Sequence, residues 1–166
     1  MNEPFPSPEH DHDGCLDDTL ARAQAAFERK GLRFTELRER VLREIAASHH
    51  ASSAYDVLER LANRGERLAP ISVYRAIEAL VQAGVVHRLE SKNAFFACHA
   101  RHREPAGLHS APLVLVCDRC GSVAEVVATS IGASLDTAIA ASNFTARSFV
   151  LEVIGTCDRC AATAAA

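Results

Sequence analysis

Two identical four-residue blocks constrain this chain more than any other feature of its sequence. Cys117-Asp118-Arg119-Cys120 recurs near the C-terminus as Cys157-Asp158-Arg159-Cys160. Without an export signal, paired C-x-x-C blocks are typical of metal ligands rather than of disulfides. Four thiolates complete a tetrahedral zinc site and leave no open position for catalysis. We therefore predict a structural zinc on the four cysteines, which clamps the start of a small domain to its end.

A redox-active cysteine pair of the thioredoxin type is the alternative interpretation of each block. That motif opens a helix after a strand in a βαβ setting, and it would not need two copies. The metal interpretation is the one that uses both blocks together.

The composition is that of a globular protein kept inside the cell. Hydrophobic residues make up 48% of the 166 residues and charged residues 23%, which is enough apolar material for a packed core. No apolar run approaches the roughly 20 residues that span a bilayer. The N-terminus is acidic and proline-rich, unlike a signal peptide. We expect a cytoplasmic protein with no membrane partner.

The net charge of −3 hides an uneven distribution along the chain. Residues 1–19 carry −6, residues 20–103 carry +6 and residues 104–166 carry −3. A protein contacts DNA with one positively charged face and not with its whole surface. The cationic middle segment is therefore compatible with nucleic-acid binding despite the negative total.

The N-terminal half shows four helical patterns followed by a change to period two. The helices are predicted from Leu16 to Gly31, after the N-cap Thr35, from the capping box at Ser53, and from about Ile71 to Ala83. In the third helix, Tyr55, Leu58 and Leu61 are expected to face inward. Two short strands, 85–89 and 94–97, then form a hairpin. Helices followed by a small hairpin predict a winged helix-turn-helix.

The C-terminal half predicts a small domain of mixed strands and helix, so the fold class is α+β. Its strands are expected at 113–116, 122–127 and 144–154, and its helix at 131–141. The predicted segments are a mobile acidic arm (1–15), the winged-helix DNA-binding domain (16–97), a hinge (98–112), the small domain with the structural zinc (113–160) and a tail (161–166).

The fourth helix has the pattern of a DNA-recognition helix. Its apolar side consists of Val73, Ile77, Leu80 and Val81. Arg75 points away from that side, flanked by Tyr74 and Ser72. Arg75 can pair bidentately with a guanine, and Tyr74 can touch a thymine methyl group or a phosphate. The basic residues expected to contact phosphates are Arg33, Arg38, Arg40 and Lys92.

A second group of possible metal ligands surrounds the predicted hinge. Its members are His87, Cys98, His99, His102, His109 and Glu125. Nitrogen, sulfur and one carboxylate together can fill a tetrahedral zinc site. Since these residues come from both predicted domains, a metal here would couple its own binding to DNA-binding geometry.

Further histidines leave room for an accessory metal site. His49 and His50 are adjacent, and His10 and His12 lie close to Cys15. Surface histidines on a loop or on the arm are the favoured interpretation, and the sequence leaves the accessory site open.

Several motifs together resemble the zinc uptake regulator branch of the ferric uptake regulator superfamily. They are Ile71-Ser72-Val73-Tyr74-Arg75-Ala76, Ala83-Gly84-Val85-Val86-His87, Cys117-Asp118-Arg119-Cys120-Gly121 and the late C-x-x-C, supported by Ser53-Ala54-Tyr55-Asp56 and the wing around Asn93. The resemblance spans roughly residues 16–160.

The resemblance implies a homodimer in which the segment 113–160 is the dimerisation domain. It implies a repressor that binds an A·T-rich palindromic operator when loaded with zinc, with two zinc ions per subunit. The regulatory zinc falls on His87, Cys98, His109 and Glu125, although His102 or His99 could replace His109. The base-contacting pair of the family falls on Tyr74 and Arg75.

The sequence therefore predicts a zinc-responsive repressor of zinc-uptake genes, with no enzymatic activity and no small-molecule substrate. A thiolate in the sensor favours zinc over harder divalent ions. A sibling regulator that responds to iron, manganese or peroxide is the nearest alternative. A small zinc enzyme and a zinc-stabilised protein-binding module are the alternatives from other classes.

Overall fold

The protein divides into two compact units in a computed structural model. The N-terminal unit covers residues 6–99, and the C-terminal unit covers residues 100–166 together with 1–5. The structure describes residue 5 and residues 11–98, 112–127, 129–146 and 149–164. Most of the predicted hinge, including His99, His102 and His109, lies outside the described residues.

Four helices make up most of the N-terminal unit. They are α1 (His12–Arg29), α2 (Glu36–Ala46), α3 (Ala54–Asn63) and α4 (Pro70–Ala83). Helix α1 begins inside the segment 1–15 that was predicted to be an arm. It begins there because the side chain of Asp11 accepts a hydrogen bond from the backbone N–H of Gly14 at 3.1 Å and caps the first turn.

The starts of α2 and α3 confirm the predicted caps. The hydroxyl of Thr35 accepts from the backbone N–H of Arg38 at the start of α2. At the start of α3, the hydroxyl of Ser53 accepts from the N–H of Asp56 at 3.1 Å, and the Asp56 carboxylate accepts from the N–H of Ser53 at 2.8 Å. This reciprocal pair is a complete capping box.

The hairpin that follows α4 confirms the predicted wing. Strands β1 (Val86–Leu89) and β2 (Ala94–Ala97) pair antiparallel, and a short 3-10 turn at Glu90–Lys92 joins them. Gly84 ends α4 in the left-handed conformation with φ of +78°, which glycine adopts without steric cost. Four helices followed by this hairpin form a winged helix-turn-helix.

The core of the N-terminal unit lies between the helices and the wing. Its largest fully buried apolar side chains are Phe27, Leu42, Ile45, Leu61, Ile77 and Leu80. Two sequence expectations are wrong here. Tyr55 is 74% exposed rather than buried, and Val81 is 37% exposed, at the margin of the apolar side of α4.

The C-terminal unit is a three-stranded sheet with two helices. Its elements are β3 (Pro112–Cys117), β4 (Val123–Val127), α5 (Thr129–Ala140), β5 (Leu151–Gly155) and α6 (Asp158–Ala164). The strand order is β4-β3-β5, in which β4 is antiparallel and β5 parallel to β3. The α+β fold class is thereby confirmed.

Two predicted boundaries in this unit are wrong. The predicted strand 144–154 is too long at its start and one residue too short at its end: β5 covers Leu151–Gly155, and its register on β3 runs from Leu113 to Cys117. Residues 161–164 of the predicted tail belong to α6, whose alanines are strong helix formers. Across the described ranges, the structure contains no helix that is both long enough and apolar enough to cross a membrane.

Candidate metal centre and nucleic-acid interface

The sheet of the C-terminal unit brings the two C-x-x-C motifs to the same place. Cys117 ends β3 directly beside Gly155, which ends β5, and the two strands are parallel. Parallel neighbours end at the same edge of a sheet, so the residues that follow them emerge side by side. A backbone hydrogen bond of 2.8 Å from Asp118 to the carbonyl of Gly155 continues this pairing into the first motif.

The four cysteine sulfurs form a cluster of the size that zinc requires. The sulfurs of Cys117, Cys120, Cys157 and Cys160 all lie within 4.8 Å of one another. The sulfurs of Cys120 and Cys157 are 3.8 Å apart. Four sulfurs bound to one zinc at about 2.3 Å are about 3.8 Å from each other, so the residues fit a tetrahedral ion.

The first motif owes its shape to a tight turn that glycine permits. The N–H of Gly121 donates to the carbonyl of Cys117 at 3.0 Å, and the N–H of Cys117 donates to the carbonyl of Ser122 at 2.9 Å. Gly121 has φ of +75°, a left-handed conformation that side chains disfavour. The turn places Cys117 and Cys120 on the side that faces the second motif.

Hydrogen bonds lower the pKa of two of the four cysteine thiols. Backbone N–H groups of Cys120 and Cys157 lower the pKa of the Cys117 thiol to about 6, and the bond from Cys157 to this sulfur measures 3.4 Å. Hydrogen bonding with Ser122, whose hydroxyl oxygen lies 3.2 Å away, lowers the pKa of Cys120.

The pKa of the half-buried Cys160 thiol shifts in the opposite direction. Burial, together with hydrogen bonding to the neighbouring sulfurs, raises the pKa of Cys160 to about 12. Because the pKa of Cys160 lies far above neutral, the four thiols do not all ionise at neutral pH by themselves. A bound cation removes that obstacle, because metal ligation requires the thiolate form and displaces the proton.

The second motif has a different local structure from the first. It opens α6, and the N–H of Ala161 donates to the carbonyl of Cys157 at 2.9 Å. A helix after the cysteines is the context of a thioredoxin-type pair. However, the two motifs place their four sulfurs in one cluster, which favours metal binding over redox chemistry.

Two of the predicted regulatory ligands lie together in the N-terminal unit. His87 is half-buried on β1, where its ring packs against the ring of Phe96 with centroids 5.7 Å apart. Cys98 follows β2, and its N–H donates to the carbonyl of Val85 at 3.0 Å. A ring nitrogen of His87 and the sulfur of Cys98 lie within 4.8 Å of each other.

The other predicted regulatory ligands belong to the second half of the chain. Glu125 lies in the middle of β4, half-buried, and pairs in register with Val114 of β3. His109 lies outside the described residues, as do its two alternatives.

Helix α4 presents the expected polar side chains at its N-terminal end. Tyr74 is 49% exposed, Arg75 is exposed and Ser72 is half-buried, while Val73 and Ile77 point into the core. Because Val73 and Ile77 anchor the helix from behind, its outward residues have a fixed direction. This is the arrangement in which a recognition helix offers side chains to base edges.

The four predicted phosphate contacts differ in their surroundings. Arg33 and Lys92 are exposed. Arg38 is half-buried, donates to the carbonyl of Arg33 and lies over the ring of Phe27, 5.3 Å from its centroid. Arg40 forms an ion pair of 2.7 Å with Glu66. We therefore regard Arg33 and Lys92 as the more available cations of the set.

Tyr55 is a candidate DNA contact that the sequence reasoning missed. It lies in the first turn of α3 and is largely exposed, whereas Ala54, Val57 and Leu61 form the buried side of that helix. The spacing of those three apolar residues places them on one side of the helix, and this pattern indicates that Tyr55 faces outward. An aromatic side chain on a solvent-facing helix turn is suited to contact a nucleic acid.

A winged helix-turn-helix with a Tyr-Arg pair on its recognition helix, in one chain with a four-thiol metal cluster, defines a metal-binding regulator of transcription. The chain belongs to the ferric uptake regulator family, whose sequence pattern matches residues 29–154. The predicted resemblance to the zinc uptake regulator branch is confirmed by similarity to individual relatives.

Three relatives illustrate that similarity. The zinc uptake regulation protein of Escherichia coli (strain K12) is 34% identical over 86% of this chain and 81% of its own length. A zinc uptake regulator solved in complex with zinc and DNA is 32% identical, with a TM-score of 0.83 over 91% of this chain and 98% of the other. The crystal structure of holo XcZur is 36% identical, with a TM-score of 0.76 over 88% and 99%.

Proposed function

We propose that this protein is a zinc-responsive transcriptional repressor that binds A·T-rich palindromic operator DNA as a zinc-loaded homodimer and represses zinc-uptake genes. The observation that carries the proposal is the joint presence of the winged helix and the four-thiol cluster in a chain similar to a zinc uptake regulator complexed with zinc and DNA. The relatives are regulators, and the cluster has no open coordination position for an enzymatic role.

The structural zinc of this proposal is held by Cys117, Cys120, Cys157 and Cys160. Its role is to fasten the ends of β3 and β5 together, since the two motifs directly follow these strands. Zinc bound by four thiolates supplies folding energy rather than chemistry.

The regulatory zinc of this proposal is held by His87, Cys98, Glu125 and His109. The proximity of His87 to Cys98 supports the first half of this ligand set. The mixed nitrogen, sulfur and oxygen donors suit zinc and give weaker binding than four thiolates, so this ion is expected to leave first when free zinc falls. Loss of the ion would remove the constraint that holds the protein in its DNA-binding conformation.

The homodimer is supported by the surface of the C-terminal unit. Strand β5 is an edge strand, and among the described residues it pairs only with β3. Val153 and Ile154 on this strand are 48% and 55% exposed, and Val150, which directly precedes it, is 60% exposed. An exposed apolar edge strand is a liability that a second copy of the chain would cover.

DNA binding in this proposal depends on Tyr74, Arg75 and Ser72 for base contacts. Arg33, Arg38 and Lys92 supply phosphate contacts at the periphery. A dimer would place two copies of α4 in successive major grooves about one helical turn apart, which explains a palindromic operator.

The experiment is a gel-shift titration of an A·T-rich palindromic promoter fragment across buffered free zinc. We expect the wild type to bind only above a zinc threshold, Cys98→Ser to need more zinc, and Tyr74→Ala to bind weakly at every zinc level. Arg43→Ala, which removes an exposed charge paired with Glu39, is the matched control and should behave like the wild type. Binding that ignores zinc but follows ferrous iron or manganese would overturn the zinc assignment. Absence of binding with every metal would overturn the repressor proposal.

A further inference from the structure

Two histidines far apart in the sequence meet at one end of the N-terminal unit. His12 is the first residue of α1, and His49 lies in the connection between α2 and α3. Their ring centroids are 5.5 Å apart and their planes are inclined by 74°. Both side chains are half-buried, so their rings are held at a defined place rather than extended into solvent.

A hydrogen bond determines which nitrogen of His12 can bind a cation. The Nε2 atom lies 2.9 Å from the carbonyl oxygen of Ala47. A carbonyl oxygen only accepts, so Nε2 donates in this contact, and Nδ1 is the nitrogen through which the ring would bind a metal ion. Histidines that ligate metals are oriented in this same way, by donating their other ring N–H to a carbonyl or carboxylate.

The distance between the rings suits two ligands of one ion. Two imidazoles that share a tetrahedral zinc, with Zn–N bonds of about 2.0–2.1 Å, have their ring centroids about 5 Å apart. The observed 5.5 Å is close to that separation, and the steep angle keeps the rings from stacking.

The charge of the surrounding segment favours a cation. Residues 1–19 contain six acidic residues and neither lysine nor arginine. Asp11 and Asp13 flank His12 in the sequence and are exposed. The carboxylates of Asp11 and Asp13, which adjoin His12 in the sequence, favour a divalent cation there.

We propose that His12 and His49 form an accessory site for a divalent transition metal such as zinc, separate from the cysteine cluster and from the regulatory ligands. In the described part of the chain, groups of three or more ligands within bonding reach occur only at those other places, so the described residues supply two ligands here. The ion would cross-link the start of α1 to the α2–α3 connection and so stiffen the winged-helix unit at high zinc.

The test is the zinc-binding isotherm of the full-length protein with both cysteine-containing sites already loaded. Zinc alone is the probe. We expect one additional, weaker binding step in the wild type that weakens by more than about tenfold in His12→Ala and in His49→Ala. His50→Ala, which removes the adjacent histidine of the same connection, is the matched control and should keep the step. The Cys98→Ser variant should also keep it, which separates this proposal from that of the regulatory site.

The proposal fails if His12→Ala and His49→Ala leave the isotherm unchanged, or if His50→Ala weakens it equally. A measurement on the wild type guards against variants that misfold. The imidazole resonances of His12 and His49 should shift together as one equivalent of zinc is added in the weak step. Independent shifts, or a shift in one ring alone, would overturn the shared site.

Discussion

The buried carboxylate of Glu44 lies 2.8 Å from the guanidinium of Arg64, so an ion pair ties the last turn of α2 to the C-terminal end of α3. Glu44 is only 2% exposed, and the side chain of Arg64 is 63% exposed. A second arginine, Arg60, approaches the same carboxylate at 3.8 Å. A buried charge needs such partners, because its desolvation is otherwise uncompensated.

We expect Arg64→Ala to destabilise the N-terminal unit by about 1–2 kcal/mol, since it leaves the Glu44 carboxylate with only the more distant Arg60. The free energy of unfolding, from urea denaturation of the full chain, measures this loss. Arg43→Ala is the matched control, because its exposed pair with Glu39 should contribute about 0.5 kcal/mol or less. Equal losses in the two variants would contradict the special role of the buried carboxylate.

The double variant Glu44→Leu/Arg64→Ala separates the ion pair from packing. Leucine fills a similar volume without a charge, and replacing a buried ion pair by apolar side chains is often neutral or stabilising. We expect the double variant to be more stable than Arg64→Ala alone, measured in the same denaturation. If it is less stable, the loss in Arg64→Ala has another cause.

The capping box of α3 should give the protein a measurable acid dependence. Hydrogen bonds from the side chain and backbone of Ser53 lower the pKa of Asp56 below its ordinary value of 3.8. A group whose pKa is lowered in the folded state stabilises the fold above its unfolded pKa, and this contribution is lost as the pH falls through the folded pKa.

We therefore expect Ser53→Ala to cost about 1 kcal/mol at neutral pH, and the difference from the wild type to shrink as the pH falls below about 4. Thermal unfolding at a series of pH values measures this. Thr35→Ala removes the cap of α2, whose partner is the N–H of Arg38 and not a carboxylate. This control should lose similar stability without the acid dependence. A constant Ser53→Ala effect down to pH 2 would refute the link to Asp56.

The parts of the fold that short-range signals encode were predictable. The caps at Thr35 and Ser53, the terminating Gly84 and the strand-turn-strand wing depend on residues within a few positions of one another, and all are present. The cysteine cluster was also predictable, because its ligand types and spacing carry the chemistry themselves.

The features that depend on distant partners were not predictable. The length of β5 depends on where β3 ends, and the exposure of Tyr55 depends on which side of α3 meets the core. Burial of Glu44 is tolerated because Arg60 of α3 and Arg64, which caps the end of α3, reach it. The apolar pattern of one helix does not indicate which residues of other elements will contact it.

Loss of one cysteine ligand should separate the stabilities of the two units. We expect Cys160→Ser to bind one zinc fewer per chain and to expose the C-terminal sheet to proteolysis, because three thiolates no longer fasten the ends of β3 and β5. The core of the winged helix belongs to the other unit and should stay protected. Zinc content and limited proteolysis are the measurements. Cys15→Ser, which lies outside the cluster, should match the wild type, and equal damage there would contradict the assignment.

Arg75 and Lys92 should differ in how they contribute to DNA binding. Arg75→Lys keeps the charge but removes the bidentate fork, so we expect about 1–3 kcal/mol less discrimination at one base pair with an unchanged salt dependence. Lys92→Ala should weaken binding to all sequences alike and lower the slope of log K against log salt by about 0.9. Binding to operator variants at several salt concentrations distinguishes them. The reverse pattern would exchange the two roles.

The exposed edge of β5 should control the oligomeric state. Ile154 is 55% exposed on this edge strand, so Ile154→Lys should place a charge in the interface without disturbing the monomer. We expect sedimentation velocity to show a dimer for the wild type and a monomer for Ile154→Lys, with zinc content unchanged. Ile71→Lys makes the same substitution at an exposed isoleucine of the N-terminal unit and should remain dimeric. A dimeric Ile154→Lys variant would place the interface elsewhere on the chain.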